Sequence, residues 1–529
     1  MIFLIAGVII TFLYWYSTRT FSYWKNRGVK HDSPVPGLGN NADQVFARKS
    51  MSQVIEDVYW RYPNEKIVGF YRLTQPELVI RDPDVIKSVF TTDFPYFYAR
   101  SHLGSESGDQ VEPLRRNMLV AEGDLWRLLR QGCSPAFTMG KLKAMFPLIV
   151  ERAERLQELT LGLVERGAPI DARDLMARFT IDFIGACGLG IDAAALNDDN
   201  SPFRKLGEQI FHIGPRETII YILKELFPGK FPFLKYFGQF EEYLLHLVRE
   251  IQNMRNNTPS GRNDFVDMLM EMKRKGKIEV ESMERRKPDG TPERVSMELD
   301  DMLIAANVFM FFAAGFETAS NSTSFTLHAL AYNPDKQKKV QQEIDRVLGK
   351  HKNKLSWDAI KEMQYLEWTF KEGLRMQPPV GHIGRTCKRK YTFQELGLTI
   401  DEGVRVRISV QALHKDPLYW DNPEEFRPER FSPDEYNEAR TKYTYIPFGT
   451  GPRICAGERL GMMQSLAGLA AVLSRFTVEP APNSKRNATI DPKSNITQGV
   501  VGGLPLIFKE RKNFQTEPLL IEEFPVRAL

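Results

Sequence analysis

Apolar residues recur at helical spacing along most of the chain. The periodicity dominates from about Leu125 to Met272, and it predicts further helices at 301–331, 335–348, 356–376 and 456–475. Between the periodic region that ends near Met272 and the predicted helix at 301–331, the segment 279–300 is charged, contains proline and glycine, and shows no apolar stripe. This segment is predicted to be a solvated connector.

Strand patterns are shorter and fewer. β-Branched and aromatic residues around a turn predict a hairpin from 66–73 and 76–82, and similar runs predict strands within 380–410 and at 496–509. No internal repeat or low-complexity tract is visible. The pattern as a whole predicts a mainly α fold with small β-sheets.

The first sixteen residues, MIFLIAGVIITFLYWY, are uncharged and largely apolar. A helix of this length, extended by the two following residues, nearly crosses the apolar core of a bilayer. The cations that follow are Arg19, Lys25, Arg27 and Lys30. By the positive-inside rule, the rest of the chain lies in the cytosol. We expect a membrane anchor at 1–18, a basic linker with a proline hinge at 19–37 and one large domain at 38–529; a buried N-terminal helix is the alternative.

Composition narrows the class of protein. The chain has 529 residues, 42% of them hydrophobic, which is ample for a substantial core. Its formal net charge is +4 with both signs spread throughout, so nothing argues for a nucleic-acid partner. Its four cysteines have no paired spacing, which suits a reducing compartment and shows no zinc pattern.

The segment 210–240 is dense in aromatic and aliphatic residues mixed with lysines. Core helices are the first interpretation. Contact with a membrane surface is the alternative, and a nearby anchor favours it.

One cysteine has an unusual setting in FGTGPRICAG, residues 448–457. Cys455 is followed directly by a predicted helix, whose N-terminus is expected to lower the thiol pKa. Gly449, Gly451 and Gly457 let the backbone approach a large flat ligand, and Arg453 can pair with a carboxylate on it. A lone cysteine is more often an inert packed residue, but this setting favours a thiolate facing a haem iron.

The same stretch resembles the haem-binding loop of the cytochrome P450 family, FxxGxRxCxG, at every fixed position. The resemblance implies the fold of that family, preceded here by the anchor helix, and haem b (iron protoporphyrin IX) as cofactor. It implies that Cys455 is the iron ligand and that Phe448, Gly449, Arg453 and Gly457 contact the cofactor.

Two further motifs follow the family's order. Glu372 and Arg375, in EGLR, resemble its ExxR helix, and Arg430, in PERF, resembles the segment that joins them. The resemblance implies a buried structural triad, because buried charges persist only when paired and hydrogen-bonded. A solvated ion pair is the alternative for Glu372 and Arg375 alone.

A third motif, AGFET, lies within the predicted helix 301–331. It resembles the family's dioxygen-activating segment, which implies catalytic roles for Glu317 and Thr318 and a place beside the haem for Ala314. The threonine hydroxyl can also bond back to the carbonyl one turn earlier, and Gly315 makes a local opening of the helix easier. Ala319 stands where a second hydroxyl is common in the family, so the sequence assigns no second hydroxyl to the proton relay.

Three side chains are candidates for the haem propionates besides Arg453. Trp126 and Arg130, in WRLLR, resemble the family's WxxxR helix and lie on one helical face. Arg385 matches another propionate arginine of the family. The alternative for each arginine is a surface cation.

The resemblance implies monooxygenation, since a cysteinate ligand favours cleavage of the O–O bond. GLGIDA, at 188–193, is not a nicotinamide site, because it follows a helix and precedes no phosphate-binding helix. Electrons are therefore expected from NADPH through a separate flavoprotein, NADPH–cytochrome P450 reductase, with cytochrome b5 as a further partner. A basic docking face is predicted from Arg127, Arg130, Lys141, Lys143 and Arg459. The expected location is the endoplasmic reticulum membrane, with the catalytic domain on the cytosolic face.

The chain resembles microsomal insect members related to animal xenobiotic-metabolising forms, so a lipophilic xenobiotic, plant toxin or insecticide is the expected substrate. An endogenous hormone or lipid hydroxylase, a rearrangement or peroxide-using enzyme, and a haem carrier or sensor are the alternatives. Pocket walls are expected near 101–124, 205–240, 305–318, 378–384 and 497–503. The best single candidates are Phe309, Phe312, Ala313, Val380 and Val500, with core packing as their alternative role.

Overall fold

The computed structural model describes residues 1–100, 112–198, 200–211, 214–227, 229–262, 264–494 and 496–511. The predicted wall segment 101–124 therefore lies partly outside the described residues, as does the end of the predicted domain 38–529. Helices dominate the described chain and the sheets are small. The mainly α class predicted from the sequence is confirmed.

Some helices begin where a side chain supplies the first turn with a hydrogen-bond acceptor. The Asp300 carboxylate accepts the backbone N–H of Leu303 at 2.6 Å, which caps the long helix that follows. The helices are α1 (Ile2–Thr18), α2 (Ala42–Val45), α3 (Met51–Arg61), α4 (Pro83–Lys87), α5 (Gly123–Cys133), α6 (Met139–Glu165), α7 (Ala172–Ile184), α8 (Pro202–Phe211), α9 (Pro215–Leu226), α10 (Gly238–Met254), α11 (Phe265–Lys275), α12 (Asp301–Ala331), α13 (Pro334–Lys350), α14 (Trp357–Glu362), α15 (Gln364–Met376), α16 (Val410–Leu413), α17 (Glu438–Thr441) and α18 (Glu458–Arg475).

The strands are β1 (Ile67–Arg72), β2 (Gln75–Ile80), β3 (Ile170–Asp171), β4 (Ile278–Arg286), β5 (Pro292–Met297), β6 (His382–Thr386), β7 (Tyr391–Phe393), β8 (Leu398–Ile400), β9 (Arg405–Ser409), β10 (Phe476–Pro480) and β11 (Pro505–Glu510). The largest sheet has the order β1-β2-β9-β6, in which β2 and β9 are parallel and the other pairs antiparallel. A second sheet has the order β10-β11-β3, and β4-β5 and β7-β8 form two-stranded ladders.

Helix α12 runs through the centre of the described fold. Most of its residues are buried, and it packs against α7, α10, α15 and α18. An apolar helix with so little polar surface is typical of a protein interior. α12 therefore provides a buried wall that neighbouring elements share.

The predicted connector 279–300 is instead the hairpin β4–β5, which packs on α5. Val280 and Ser282 are buried while Glu279 and Glu281, which alternate with them, are exposed, a period of two that is typical of strands. The Asp124 carboxylate accepts the Ser282 hydroxyl at 2.7 Å and the Met283 N–H at 2.6 Å. The sequence prediction was wrong because charges on the solvent face hid this alternation.

The N-terminal helix α1 has no buried residue. Among the residues that the structure describes, α12 alone is long and apolar enough to cross a membrane, and most of it is buried in protein; α1 is a shorter apolar helix. The segment 19–37, predicted as a linker, packs against the largest sheet: Trp24 is fully buried and its indole N–H donates to Phe70 O at 3.0 Å.

Candidate active site

The loop before α18 presents the Cys455 sulfur. Gly449 and Gly451 have φ of +75° and +74°, which side-chain-bearing residues rarely adopt, and Gly451 lies directly against the Phe90 carbonyl. The Cys455 N–H donates to Phe448 O at 2.9 Å and closes the loop. The Cys455 side chain is exposed, whereas those of Cys133, Cys187 and Cys387 are buried.

The sequence predicted a lowered pKa for this thiol, but burial in the surrounding protein raises it. The Gly457 N–H, Arg100 and Arg130 act in the opposite direction without overcoming burial. Helix α18 begins only at Glu458, with Gly457 as its N-cap, so Cys455 precedes the helical turn in which the dipole acts most strongly. The sulfur is thus open to a space enclosed by protein. A coordinated metal ion deprotonates a thiol outright, so a raised pKa of the free thiol is compatible with a ligand role.

Four arginines gather near Cys455: Arg100, Arg130, Arg385 and Arg453. The Arg453 guanidinium lies 4.3 Å from the Trp126 ring centroid and donates through Nη2 to Ala121 O at 2.6 Å. Its Nε and Nη1, like Nε of Arg385, have no hydrogen-bond partner within the described chain. Such orphaned buried donors indicate a missing acceptor.

Electrostatics supports the same interpretation. Burial lowers the pKa of Arg100 to about 10, and burial with repulsion from Arg100 lowers the pKa of Arg453 and Arg385 well below the usual value. Over the described ranges none of the four forms an ion pair with a carboxylate, since the nearby Glu122 pairs with Lys388 at 3.1 Å. Buried cations without counter-charges are costly, so the cluster fits a ligand with more than one carboxylate. A haem, with two propionates and an iron for the Cys455 sulfur, meets both requirements.

Sequence reasoning missed Arg100. It donates through Nη2 to Arg453 O at 2.8 Å and through Nη1 to Leu119 O at 3.1 Å, which ties the arginine cluster to the chain before α5. No motif marks this arginine, and only the fold brings it beside Cys455.

On α12, partly accessible residues are grouped together. Ala313, Ala314, Gly315 and Thr318 are half-buried, whereas Phe312, Phe316 and Glu317 are buried. The Thr318 hydroxyl donates to Ala314 O at 2.7 Å, the one-turn back-bond considered from the sequence. Gly315 serves packing: a Cβ there would lie 2.4 Å from Ile184 Cδ1 on α7. That Gly315 makes a local opening of the helix easier stays a prediction.

Glu317 points toward α7. Its Oε1 accepts from Arg173 Nη2 at 2.7 Å and from Asn321 Nδ2 at 3.3 Å. Neither Arg173 nor Asn321 was singled out from the sequence, although the spacing of Glu317 and Asn321, one helical turn apart, is compatible with a contact.

The structure brings Glu372, Arg375 and Arg430 together. Arg375 Nε and Nη2 donate to the two Glu372 oxygens at 2.7 and 2.9 Å, and Arg430 Nε donates to Glu372 Oε1 at 3.3 Å. Glu372 and Arg375 have no accessible surface. The remaining guanidinium donors bond to backbone carbonyls, including His414 O at 2.9 Å. The group connects α15 to the segment that leads toward the Cys455 loop.

The predicted pocket residues separate into two groups. Phe309 lies nine residues, about two and a half turns, before Thr318 and so on the opposite side of α12. Its ring contacts Phe237 and Phe240, and the Phe312 ring contacts Phe203 and Phe316, so both are packed in the core beside α8 and α10. Ala313 and Val380 are half-buried, and Val500 is buried.

The predicted docking face is also divided. Arg127 lies on the outer side of α5 and pairs with Glu281 of the hairpin at 3.8 Å. Arg130 belongs instead to the interior arginine cluster, where burial lowers its pKa. Lys143 and Arg459 are exposed, and Lys141 is half-buried.

Comparisons with known proteins agree with this geometry. The profile of the cytochrome P450 family matches residues 31–501. Cytochrome P450 6B2 of Helicoverpa armigera is 34% identical over 512 residues, covering 96% of this chain and 98% of that protein. Cytochrome P450 6B1 of Papilio polyxenes is 35% identical, with 93% and 96% covered, and a probable cytochrome P450 6a18 of Drosophila melanogaster is 32% identical, with 96% and 98% covered. The chain therefore belongs to the cytochrome P450 family and is a monooxygenase that resembles its insect members.

Proposed function

We propose that this monooxygenase inserts one oxygen atom from dioxygen into a lipophilic small molecule, with a xenobiotic such as a plant toxin or insecticide as the preferred class. The observation that carries the proposal is the accessible Cys455 sulfur beside a buried arginine cluster that lacks counter-charges. An endogenous hormone or lipid is the alternative substrate class.

In this proposal Cys455 binds the iron of haem b through its sulfur, and Phe448, Gly449 and Gly457 shape the loop around it. Arg453, Arg385, Arg130 and Trp126 hold the propionates, and we add Arg100 to them because it donates to Arg453 O. When bound, a cysteinate-ligated haem supplies the electron density that favours O–O cleavage. The unpaired Arg453 and Arg385 donors supply the hydrogen bonds that two carboxylates accept.

Helix α12 provides proton handling and excludes water. The Thr318 hydroxyl oxygen keeps a lone pair free while its proton is donated to Ala314 O, so it can accept a proton and pass its own onward. Glu317 is the acid that replenishes it. Ala313 and Ala314 leave space beside Thr318, and the buried apolar residues around them keep bulk water out.

The proposed pocket wall is apolar, which suits a lipophilic substrate. Ala313 on α12, Val380 before β6 and Val500 before β11 contribute small aliphatic surfaces. Phe309 and Phe312 support this wall from behind through their contacts with α8 and α10.

Electrons are proposed to come from NADPH through a separate flavoprotein reductase, with cytochrome b5 as a further partner. The exposed cations Lys143 and Arg459, together with the partly exposed Arg127, offer a basic docking surface.

Attachment to the endoplasmic reticulum membrane is proposed through α1. The exposed residues Ile219, Phe227 and Phe233 support a second contact, because Tyr16 of α1 stacks on Phe227 at 5.7 Å and donates to Leu226 O at 2.8 Å.

The central test is the absorbance of the ferrous protein with carbon monoxide. We expect the strongly red-shifted Soret band of thiolate ligation in the wild type and its loss in Cys455→Ser. Cys387→Ser is the matched control, because that thiol is buried, donates to Arg389 O at 2.8 Å and should leave the band unchanged. A Cys455→Ser protein that kept the band would overturn the proposal.

Reconstitution with the reductase and NADPH tests the reaction. Product that carries one atom of labelled dioxygen supports monooxygenation. Turnover that occurs with peroxide but not with reductase and NADPH would indicate the rearrangement or peroxide-using class. A protein that binds haem and shows no turnover under either condition would indicate a carrier or sensor.

A further inference from the structure

Arg173 is fixed at both ends at the start of α7. Its backbone N–H donates to Asp171 Oδ1 at 3.0 Å, and the same carboxylate oxygen accepts the Leu504 N–H at 2.8 Å. Its guanidinium donates through Nη2 to Glu317 Oε1 at 2.7 Å and through Nε to Asn321 Oδ1 at 3.1 Å. A planar guanidinium held in this way fixes the position of its acceptor as well as compensating its charge.

We propose that Arg173 is the positioning residue for proton delivery: it holds the Glu317 carboxylate at the solvent-facing end of the path that leads to Thr318. The inference rests on the proposed function, because it assigns Glu317 the role of the acid that replenishes the Thr318 hydroxyl. Arg173 itself transfers no proton, since a guanidinium stays protonated in proteins.

Exposure along the path favours this role. The Arg173 side chain is 31% exposed and that of Glu317 is 8% exposed, so the ion pair connects the interior of α12 to the surface. The Glu317 carboxylate first takes up a proton from bulk solvent at the exposed end beside Arg173. It then passes this proton to the Thr318 hydroxyl, which gives up its own proton, and Glu317 returns to the carboxylate form paired with Arg173. Charge at the site is then unchanged after each transfer.

The same cluster reaches the proposed pocket wall. Asn321 Nδ2, which bonds Glu317, also donates to Gln498 O at 3.3 Å. The Gln498 amide donates to Pro378 O at 2.8 Å, and its backbone N–H donates to Pro379 O at 2.8 Å. The segments that carry Val380 and Val500 are therefore tied to the residues that hold Glu317. An ion pair that only joined α7 to α12 at the surface would not require this connection.

The test compares two routes to product in Arg173→Met. With reductase and NADPH, we expect about a tenfold loss of product per NADPH consumed and a matching rise in released hydrogen peroxide, because the proton donor is misplaced. With an organic hydroperoxide as oxidant, turnover should stay within about twofold of wild type, because that route bypasses proton delivery to dioxygen. Arg173→Lys should restore most of the coupling, and adding Glu317→Gln to Arg173→Met should cause no further loss.

Arg178→Met is the matched control on the same helix. Arg178 forms an ion pair with Asp174 at a distance of 3.0 Å, and Glu317 is not part of this pair. It should leave product per NADPH unchanged. A crystal structure of Arg173→Met provides a readout independent of turnover, and we expect the Glu317 carboxylate in a different position.

Equal losses on both routes, or no loss on either, would overturn the positioning role, as would an unmoved Glu317. Failure of the proposed function is distinguished separately, because it removes the thiolate band and labelled product from the wild type itself.

Discussion

At the scale of single residues, a buried charge in this protein is stabilised by hydrogen bonds from several partners at once. Glu372 is fully buried and accepts from Arg375, Arg430 and the Arg427 N–H at 2.9 Å. Removing one member of such a set leaves the other charges buried and unpaired, which strongly lowers the free energy of unfolding. Replacing the whole set by well-packed apolar residues would change that free energy much less. The group therefore specifies local geometry.

Glu372→Gln tests this cost. We expect the free energy of unfolding to fall by about 3–5 kcal/mol, because two arginines lose their counter-charge in the interior. Chemical denaturation of the haem-loaded protein measures it. Glu479→Gln is the control, since the Glu479–Lys509 pair, 2.6 Å apart, is about half exposed and should change stability by about 0–1 kcal/mol. Similar values for the two variants would contradict the role assigned to the buried set.

At the scale of elements, close packing of α7 on α12 depends on one missing side chain. A Cβ at Gly315 would lie 2.4 Å from Ile184 Cδ1, which is too close for real atoms. Overpacked helices separate or force side chains off their preferred rotamers. An added methyl group at Gly315 thus requires the Ile184 side chain or the helices themselves to shift.

Gly315→Ala should therefore destabilise the protein although alanine favours helix. We expect a net loss of about 1 kcal/mol in unfolding free energy, from overpacking of about 1–3 kcal/mol against a helix-propensity gain of about 1 kcal/mol. Ile184→Val in the same chain should remove most of the loss. Gly162→Ala on α6, where a Cβ meets open space, is the control and should be stabilising. A Gly315→Ala protein more stable than wild type would contradict the packing argument.

Helix α9 is joined to the largest sheet by a buried ionic cluster. Glu77 on β2 accepts from Arg407 Nε at 2.8 Å, and Arg405, which lies 3.4 Å from Glu77, donates to Glu225 of α9 at 2.8 Å. Arg407, Arg72 and Arg405 outweigh burial and lower the pKa of Glu77 to about 2. The charges thus help to hold α9 against the sheet.

Glu77→Gln should lower stability in a pH-dependent way. Since the folded pKa lies below the unfolded value of 4.5, the carboxylate stabilises the fold above about pH 4.5 and loses this effect as pH falls toward 2. We expect a difference from wild type on the order of 3 kcal/mol at neutral pH, shrinking steadily below pH 4.5. Unfolding measured at a series of pH values checks it. A difference that stayed constant down to pH 3 would contradict the assignment.

At the scale of the whole molecule, α1 and the end of α9 together present exposed apolar surface. All of α1 lies outside the core, and its Tyr16 contacts the end of α9, near which Ile219 and Phe233 are 57% and 73% exposed. Exposed apolar patches of this kind mark interaction sites, and a basic, aromatic patch beside an apolar helix fits a membrane surface.

Deletion of residues 1–18 tests whether this patch binds membranes by itself. We expect at least half of the shortened protein to sediment with microsomes or anionic vesicles, because Ile219 and Phe233 still insert. Adding Ile219→Glu and Phe233→Glu should release it, with the carbon monoxide band retained as evidence of folding. Complete release by the deletion alone would favour the core-helix interpretation of 210–240.

What the sequence determined by itself is local. Helical periodicity indicated the helices, β-branched runs indicated the first hairpin, and the spacing around Cys455, Glu372 and Trp126 indicated the family. These features depend on residues close together along the chain, so the spacing of residues within a short segment is enough to predict them.

Only the tertiary structure decided the rest. Arg100 and Arg173 carry no local signal, because their partners lie far away along the chain and come together through folding. The hairpin β4–β5 forms because α5 buries its inner face, and the pKa of Cys455 rises because burial outweighs the helix N-terminus. Burial and long-range pairing depend on the packed arrangement of the whole chain, and no local pattern records them.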